Sequence, residues 1–169
     1  YTREQATLPR AIESLQPEQP GHPSPAGIRR YLKKTLDIAI RRGMGVSRGA
    51  RSALGVYRVK AETIRMRAIN DLPTLFHEVG HYLHYMIFPD GGDRSIAGDF
   101  AGVFDAELMP LGAATSLPTY TADKKRREGV AEFFRIWVAD PAAARAAAPR
   151  FTAMFETEIE GQYPGIGKV

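Results

Sequence analysis

The stretch from Leu72 to Phe88 reads L-P-T-L-F-H-E-V-G-H-Y-L-H-Y-M-I-F and contains the pattern H-E-x-x-H. His77 and His81 are four residues apart, and Glu78 directly follows the first histidine. On an α-helix, residues at i and i+4 share one face, so the two imidazoles can reach one metal ion. The glutamate between them then lies close enough to act on a metal-bound water.

The residues around this motif predict a largely buried helix, because apolar side chains recur at helical spacing. Asp71 suits the N-cap, Pro73 suits the first turn, and Pro89 ends the helix. Gly80 is a poor helix former, by about 1 kcal/mol relative to alanine, and its lack of a side chain allows another segment to approach closely. The alternative is a helix with two satisfied core histidines. Three of the four histidines fall in this one helix, which favours the metal interpretation.

The composition is that of an ordinary globular domain. The 169 residues are 44% hydrophobic and 25% charged, enough to bury a core in one domain. No apolar run reaches the length of a membrane span, and the first residues do not form a signal peptide. Tyr1 in place of an initiator methionine suggests a fragment of a longer protein. Because the chain has no cysteine, any metal must be held by His, Glu or Asp.

The positive charge is concentrated between Arg29 and Arg67. This stretch has 12 Lys and Arg residues against only Asp37 and Glu62, which leaves +10. Such a region can steer a charged partner or bind nucleic acid. A solvated surface is the simpler interpretation, and we favour it over nucleic acid for most of these residues.

The N-terminal part is expected to lie outside the main domain. Residues 1–27 read as an arm or proline-rich linker, because Gln16–Gly27 carries four prolines and two glycines. His22 lies in this linker and is expected to face solvent. Residues 28–169 form the predicted domain, and a basic amphipathic helix is predicted from Ala26 to Arg42.

The remainder alternates between a hairpin, a long loop and helices. Strands are predicted over Val56–Lys60 and Thr63–Ile69, apolar on one face and basic on the other. Asp90–Tyr120 is rich in glycine and lacks periodicity, so it is predicted to be a loop that shapes a substrate cleft. A helix is predicted over Ala122–Ala139, followed by two more that begin at Pro141 and Pro149.

Glu128 and Glu132 are four residues apart on the predicted Ala122–Ala139 helix, at the border of an apolar face. An unpaired carboxylate there costs several kcal/mol, on the order of 2–7. A metal ion bound by one glutamate, and a ligand histidine's free N–H bound by the other, would remove this cost. The alternative is a surface pairing with Lys124, Lys125 or Arg135.

The segments H-E-V-G-H and R-E-G-V-A-E-F-F-R-I-W-V-A-D-P together resemble the gluzincin zinc peptidases. More closely, they resemble the lethal-factor type catalytic domain shared with Pro-Pro endopeptidases, which has an E-x-x-A-E-x-F-R helix. They are also similar to metallopeptidase-like modules of large multidomain phage proteins. The resemblance covers roughly Val56–Glu160, and the two helices are its specific part.

This resemblance implies a zincin-like α+β fold, in which a small sheet with an exposed edge strand packs against the active-site helix, followed by several C-terminal helices. It implies three zinc ligands, His77, His81 and Glu128. Glu78 becomes the general base, Glu132 the partner of a ligand histidine, and Tyr120 the candidate oxyanion donor. The metzincin extension of the motif is absent, because His84 stands at its glycine position.

The predicted activity is a zinc-dependent metalloendopeptidase, in which Glu78 activates a zinc-bound water. An extended protein or peptide substrate is expected to lie along Thr63–Ile69. The alternatives are a nucleic-acid-binding module and a pseudo-peptidase scaffold within a larger protein. We expect the cytoplasm of a bacterial cell, with a secreted or injected effector as the other option.

Overall fold

The computed structural model describes residues 24–43, 53–87 and 102–162. Within these ranges the chain is α+β, with a small three-stranded sheet and several helices, as predicted. The strands are β1 (Ala39–Arg42), β2 (Gly55–Arg58) and β3 (Thr63–Met66). The helices are α1 (Pro25–Leu36), α2 (Leu72–Ile87), α3 (Asp105–Thr115), α4 (Ala122–Ala139), α5 (Pro141–Ala147) and α6 (Pro149–Gln162). None of the described helices is long and apolar enough to cross a membrane.

Side-chain caps fix where several helices begin. The Asp71 carboxylate accepts hydrogen bonds from the backbone N–H and the hydroxyl of Thr74, at 3.1 and 2.7 Å, which confirms the predicted cap of α2. Thr121 accepts from the N–H of Lys124 at the start of α4. Asp140 caps α5 ahead of Pro141, also as predicted.

The predicted hairpin is present, but its second strand is not at the edge of the sheet. β2 and β3 pair antiparallel, while β1 pairs with β3 in parallel, so the strand order is β1-β3-β2. The prediction that Thr63–Ile69 borders an open edge is therefore wrong, because β1 takes one side of it and β2 the other. Of the two edge strands, it is β2 that packs alongside β3 against α2.

The extra strand comes from the end of the predicted helix Ala26–Arg42. That helix ends at Leu36, where Asp37 takes a left-handed conformation with φ of 50°. Ile38 is then buried and Ala39–Arg42 runs as β1. Asp tolerates the left-handed region better than most residues, and β-branched isoleucines favour a strand, so the chain changes structure at this point.

The predicted loop Asp90–Tyr120 contains helix α3, so that part of the prediction is wrong. The residues of α3 that are buried are Leu108, Gly112 and Thr115, which lie on one face. Gly112 and Thr115 have no large apolar side chain, so this buried face does not appear in the sequence as apolar residues at helical spacing. Pro110 inside the helix further weakens the signal. Residues 88–101 lie outside the described ranges.

Helix α4 is packed between α2 and α3. A Cβ at Gly80 of α2 would lie 2.7 Å from the Cα of Ala131, which confirms the predicted close approach of another segment. On the other side, a Cβ at Gly112 would overlap the carbonyl oxygen of Lys125, and a Cβ at Gly129 would likewise overlap the carbonyl oxygen of Leu108 on α3. The two contacts hold the middle of α4 in place from both sides.

Aromatic side chains complete the core beside α4. Phe133 packs edge to face on Phe151 and Phe155 of α6, with ring centroids 4.8 and 5.1 Å apart. Trp137 also contacts Phe155. This cluster anchors the C-terminal half of α4, the half that follows Glu128.

Candidate metal centre

Two helices bring three metal-binding side chains together. His77 and His81 lie one turn apart on α2, and α4 approaches α2 closely at Gly80. The carboxylate of Glu128 on α4 faces both rings: its Oε2 lies 3.2 Å from Nε2 of His77 and 3.7 Å from Nε2 of His81. One ligand atom from each residue lies within 4.8 Å of the others. This group can hold a metal ion.

Two of the three distances between these atoms are compatible with a shared metal ion. Metal–ligand distances of about 2.0–2.1 Å for nitrogen and oxygen place tetrahedral ligand atoms about 3.3 Å apart. The two distances to Glu128, 3.2 and 3.7 Å, bracket this value, and the shorter one is also that of a hydrogen bond between His77 and Glu128. Two imidazoles and one carboxylate are also a donor set that zinc accepts, with a fourth position left over.

The electrostatics of the group are those of a site that attracts a cation. Burial by itself raises the pKa of Glu128, but hydrogen bonds from His77 and His81 and their charges outweigh it and hold that pKa well below its usual range. Burial lowers the pKa of His77, yet its hydrogen bonds to Glu128 and Glu132 and the charge of Glu78 raise it above the usual value. A divalent cation can take over the stabilisation of these carboxylates.

Glu132 lies behind His77, on the far side from Glu128. Its Oε2 is 3.5 Å from Nδ1 of His77, and it also accepts a hydrogen bond of 2.9 Å from Nε of Arg135. The predicted role as partner of a ligand histidine is therefore consistent with its position. Pairing with Arg135 was the alternative prediction, and that pair also exists. It is buried, however, with both residues 2% exposed, rather than at the surface.

Glu78 lies under the edge strand β2. The residue is 3% exposed, and a Cβ at Gly55 would lie 2.8 Å from its Oε1 and 2.7 Å from the Cγ2 of Thr74. Only a residue without a side chain leaves room for the carboxylate at this point. Gly55 was not singled out in the sequence, since a glycine at the end of a glycine-rich loop gives no sign of what will lie beneath it.

Tyr120 and His84 lie around the three-residue group but are not members of it. Burial and the charge of Glu128 raise the pKa of Tyr120, so its phenol stays protonated at neutral pH and can donate a hydrogen bond. His84 is buried, and burial followed by the charges of His81 and Arg127 lowers its pKa to about 3. His84 is therefore neutral, in keeping with a structural role.

The basic stretch is partly used to connect elements of the fold. Arg29 of α1 donates to the carbonyl oxygen of Ile69 and to the side chain of Asn70, at 2.9 and 2.8 Å. Arg65 of β3 donates to the carbonyl oxygen of Gly43. Binding of nucleic acid by this stretch stays a prediction. The linker histidine His22 and the rest of residues 1–23 lie outside the described ranges.

Comparisons with protein-family models, curated proteins and solved structures found no match to this chain. The likeness to gluzincins therefore rests on the two motifs alone. What the site can do has to be argued from its own atoms.

Proposed function

We propose that this chain is a zinc-dependent metalloendopeptidase of the zincin type. The observation that carries the proposal is the convergence of His77, His81 and Glu128 from two helices, with Glu78 next to the first ligand. A structural histidine pair would need no glutamate buried beside it under a glycine. The resemblance of the two motifs to lethal-factor type domains supports the same assignment. On the basis of this resemblance we propose that the fold is also zincin-like.

Each side chain has a chemical role in this proposal. Zinc in such a site acidifies water and polarises a carbonyl group. Glu78 takes the proton of the attacking water and then passes it to the leaving amine, which is general base followed by general acid catalysis. The hydroxyl of Tyr120 donates a hydrogen bond to the oxygen of the scissile carbonyl group as that oxygen gains negative charge. Glu132 accepts from Nδ1–H of His77 and so keeps the Nε2 lone pair directed at the metal.

The substrate is proposed to bind along β2 rather than along Thr63–Ile69. β3 is flanked on both sides, whereas β2 pairs on only one side with a described strand. An extended peptide can add to such an edge through backbone hydrogen bonds. Because Gly55 of β2 lies against Glu78, a peptide on this edge would pass close to the proposed base.

Metal content and peptide cleavage together test the proposal. Protein purified without chelators is expected to contain, or take up, about one zinc per chain, as a single three-ligand site requires. It should cleave members of a peptide library, and Glu78→Gln should bind zinc equally well while its kcat falls by about 100- to 10,000-fold. Protein that neither contains nor takes up zinc would contradict the proposal. Zinc binding without any cleavage would favour the scaffold alternative.

A further inference from the structure

Arg135 is a buried cation on a stretch of α4 whose other buried residues are mostly aromatic. It is the largest fully buried side chain among the described residues, and its neighbours on α4, Phe133, Phe134 and Trp137, are also buried. Removing a guanidinium from water costs several kcal/mol unless it is paired with good geometry. An apolar residue at this position would avoid the cost, and such replacements are often neutral or stabilising.

The guanidinium of Arg135 holds both oxygens of one carboxylate. Its Nε donates to Oε2 of Glu132 at 2.9 Å, and its Nη2 donates to Oε1 of the same group. This two-point contact fixes the plane of the carboxylate as well as its position, which a single hydrogen bond does not do. The contact with Arg135 therefore favours one orientation of the Glu132 carboxylate.

The fixed carboxylate is aimed at a proposed metal ligand. The oxygen that accepts from Nε of Arg135 is the one that lies 3.5 Å from Nδ1 of His77. The opposite ring nitrogen, Nε2, lies 3.2 Å from Glu128. One continuous series of contacts thus runs from Arg135 through Glu132 to His77, which is a member of the three-residue group.

We infer that Arg135 is a positioning residue for the metal centre. It acts through Glu132, whose orientation and charge balance it sets, and Glu132 in turn orients the ring of His77. The inference rests on the proposed metal site, and it adds a residue that is not itself one of the three proposed metal ligands. Loss of a partner behind a ligand histidine weakens metal binding by about 10- to 100-fold, and we expect Arg135→Met to fall in this range.

The test is zinc affinity, measured by competition with a chromogenic chelator, in folded protein. The variants are Arg135→Met, Arg135→Lys, Glu132→Gln and the double variant Arg135→Met/Glu132→Gln. Arg135→Lys keeps the charge but loses the two-point contact. The zinc affinity of this variant should therefore lie between those of the wild type and Arg135→Met. Arg135→Lys also serves if Arg135→Met does not fold. Because Arg135 acts through Glu132, the double variant should bind no more weakly than Glu132→Gln alone.

A purely structural role gives a different pattern. Phe155→Leu, a core substitution on α6 in the aromatic cluster beside α4, should lower the unfolding temperature while changing zinc affinity less than twofold. If Arg135→Met behaves like Phe155→Leu, or if its effect simply adds to that of Glu132→Gln, the inference is overturned and the metal site stands. If the wild type takes up no zinc, the proposed function and this inference both fail.

Discussion

Helix α4 contacts α2 on one side and α3 on the other, and the two interfaces use charge in opposite ways. Toward α2 the charged residues Glu132 and Arg135 are buried, and their contacts lead to His77. Toward α3 the close contact is made by backbone at Gly112 and Gly129. The ion pair there, Asp105 with Arg126, is partly exposed.

This difference suggests that the α2 interface serves the candidate metal centre, whereas the α3 interface serves the stability of the fold. Buried charges are expensive and are retained where they do something that packing cannot, such as holding a cation. Partly exposed pairs contribute little, about 0–1 kcal/mol, and can be replaced. We therefore expect substitutions on the α2 side to change metal binding, and substitutions on the α3 side to change stability.

The largest expected effect is that of Glu128→Ala, on the α2 side. Removing one of the three proposed ligands should weaken zinc binding by roughly a thousand-fold, because each ligand supplies a large share of the about 10–16 kcal/mol with which structural sites bind zinc. Isothermal titration with Zn²⁺ measures this. Glu156→Ala, which removes a glutamate paired with Arg145 near the surface, is the control and should bind zinc normally. Equal affinity in the two variants would remove Glu128 from the site.

The second largest effect is expected on the α3 side, where Gly112→Ala should lower the stability of the protein. In Gly112→Ala the new methyl group would overlap the carbonyl oxygen of Lys125, so the two helices must separate. We expect the free energy of unfolding to fall by about 3 kcal/mol, the upper part of the usual range for overpacking. Urea denaturation of the metal-free protein measures it.

Gly161→Ala is the matched control for this substitution. Gly161 lies in α6, and no heavy atom of the described residues would come within 4 Å of the added Cβ. Alanine there should leave stability unchanged or raise it by up to about 1 kcal/mol. If Gly112→Ala is as stable as Gly161→Ala, then α3 and α4 are not in close contact at Gly112.

Helix α3 also shows where prediction from the sequence ended. The α2 motif, its cap at Asp71 and the helix Ala122–Ala139 could be read directly, because spacing and capping are local properties. The buried face of α3 could not be, since Gly112 is buried by the approach of another helix and not by its own hydrophobicity. Strand β1 was missed for a related reason: a four-residue strand is defined by its partner.

The same distinction holds within the candidate site. The pair His77 and His81 followed from an i, i+4 pattern, whereas Glu128 as the third member followed from the resemblance to gluzincins, and the structure brings the three side chains together. Gly55 and the burial of Arg135 did not follow, because both depend on which segments meet in three dimensions. An arginine three residues after a glutamate on a helix is usually a surface pair, which is why that interpretation stayed open.

A smaller effect on the α2 side is expected at Gly55. The Cβ of Gly55→Ala would lie within 3 Å of the Glu78 carboxylate and should displace it by a fraction of an ångström to an ångström. A misplacement of this size costs about 10- to 100-fold in kcat. Zinc content should not change, because Glu78 is not a ligand. Steady-state kinetics together with metal analysis measure both, and Gly161→Ala should change neither. Loss of zinc in Gly55→Ala would mean that the strand supports the ligands rather than the base.

The smallest effect is expected for the exposed pair on the α3 side. Hydrogen bonds from Arg126, at 2.5 and 2.8 Å, hold the pKa of Asp105 below its usual value, so the ionised form is stabilised in the folded state. This contribution is fully present above the unfolded pKa of about 3.9 and is lost as the pH falls through the lower folded pKa. Asp105→Asn should therefore lose no more than about 1 kcal/mol at pH 7, and its deficit relative to the wild type should shrink below about pH 4. Urea denaturation between pH 3 and pH 7 measures this. A deficit that stays constant down to pH 3 would mean that Asp105 stabilises α3 through its position in the first turn and not through its charge.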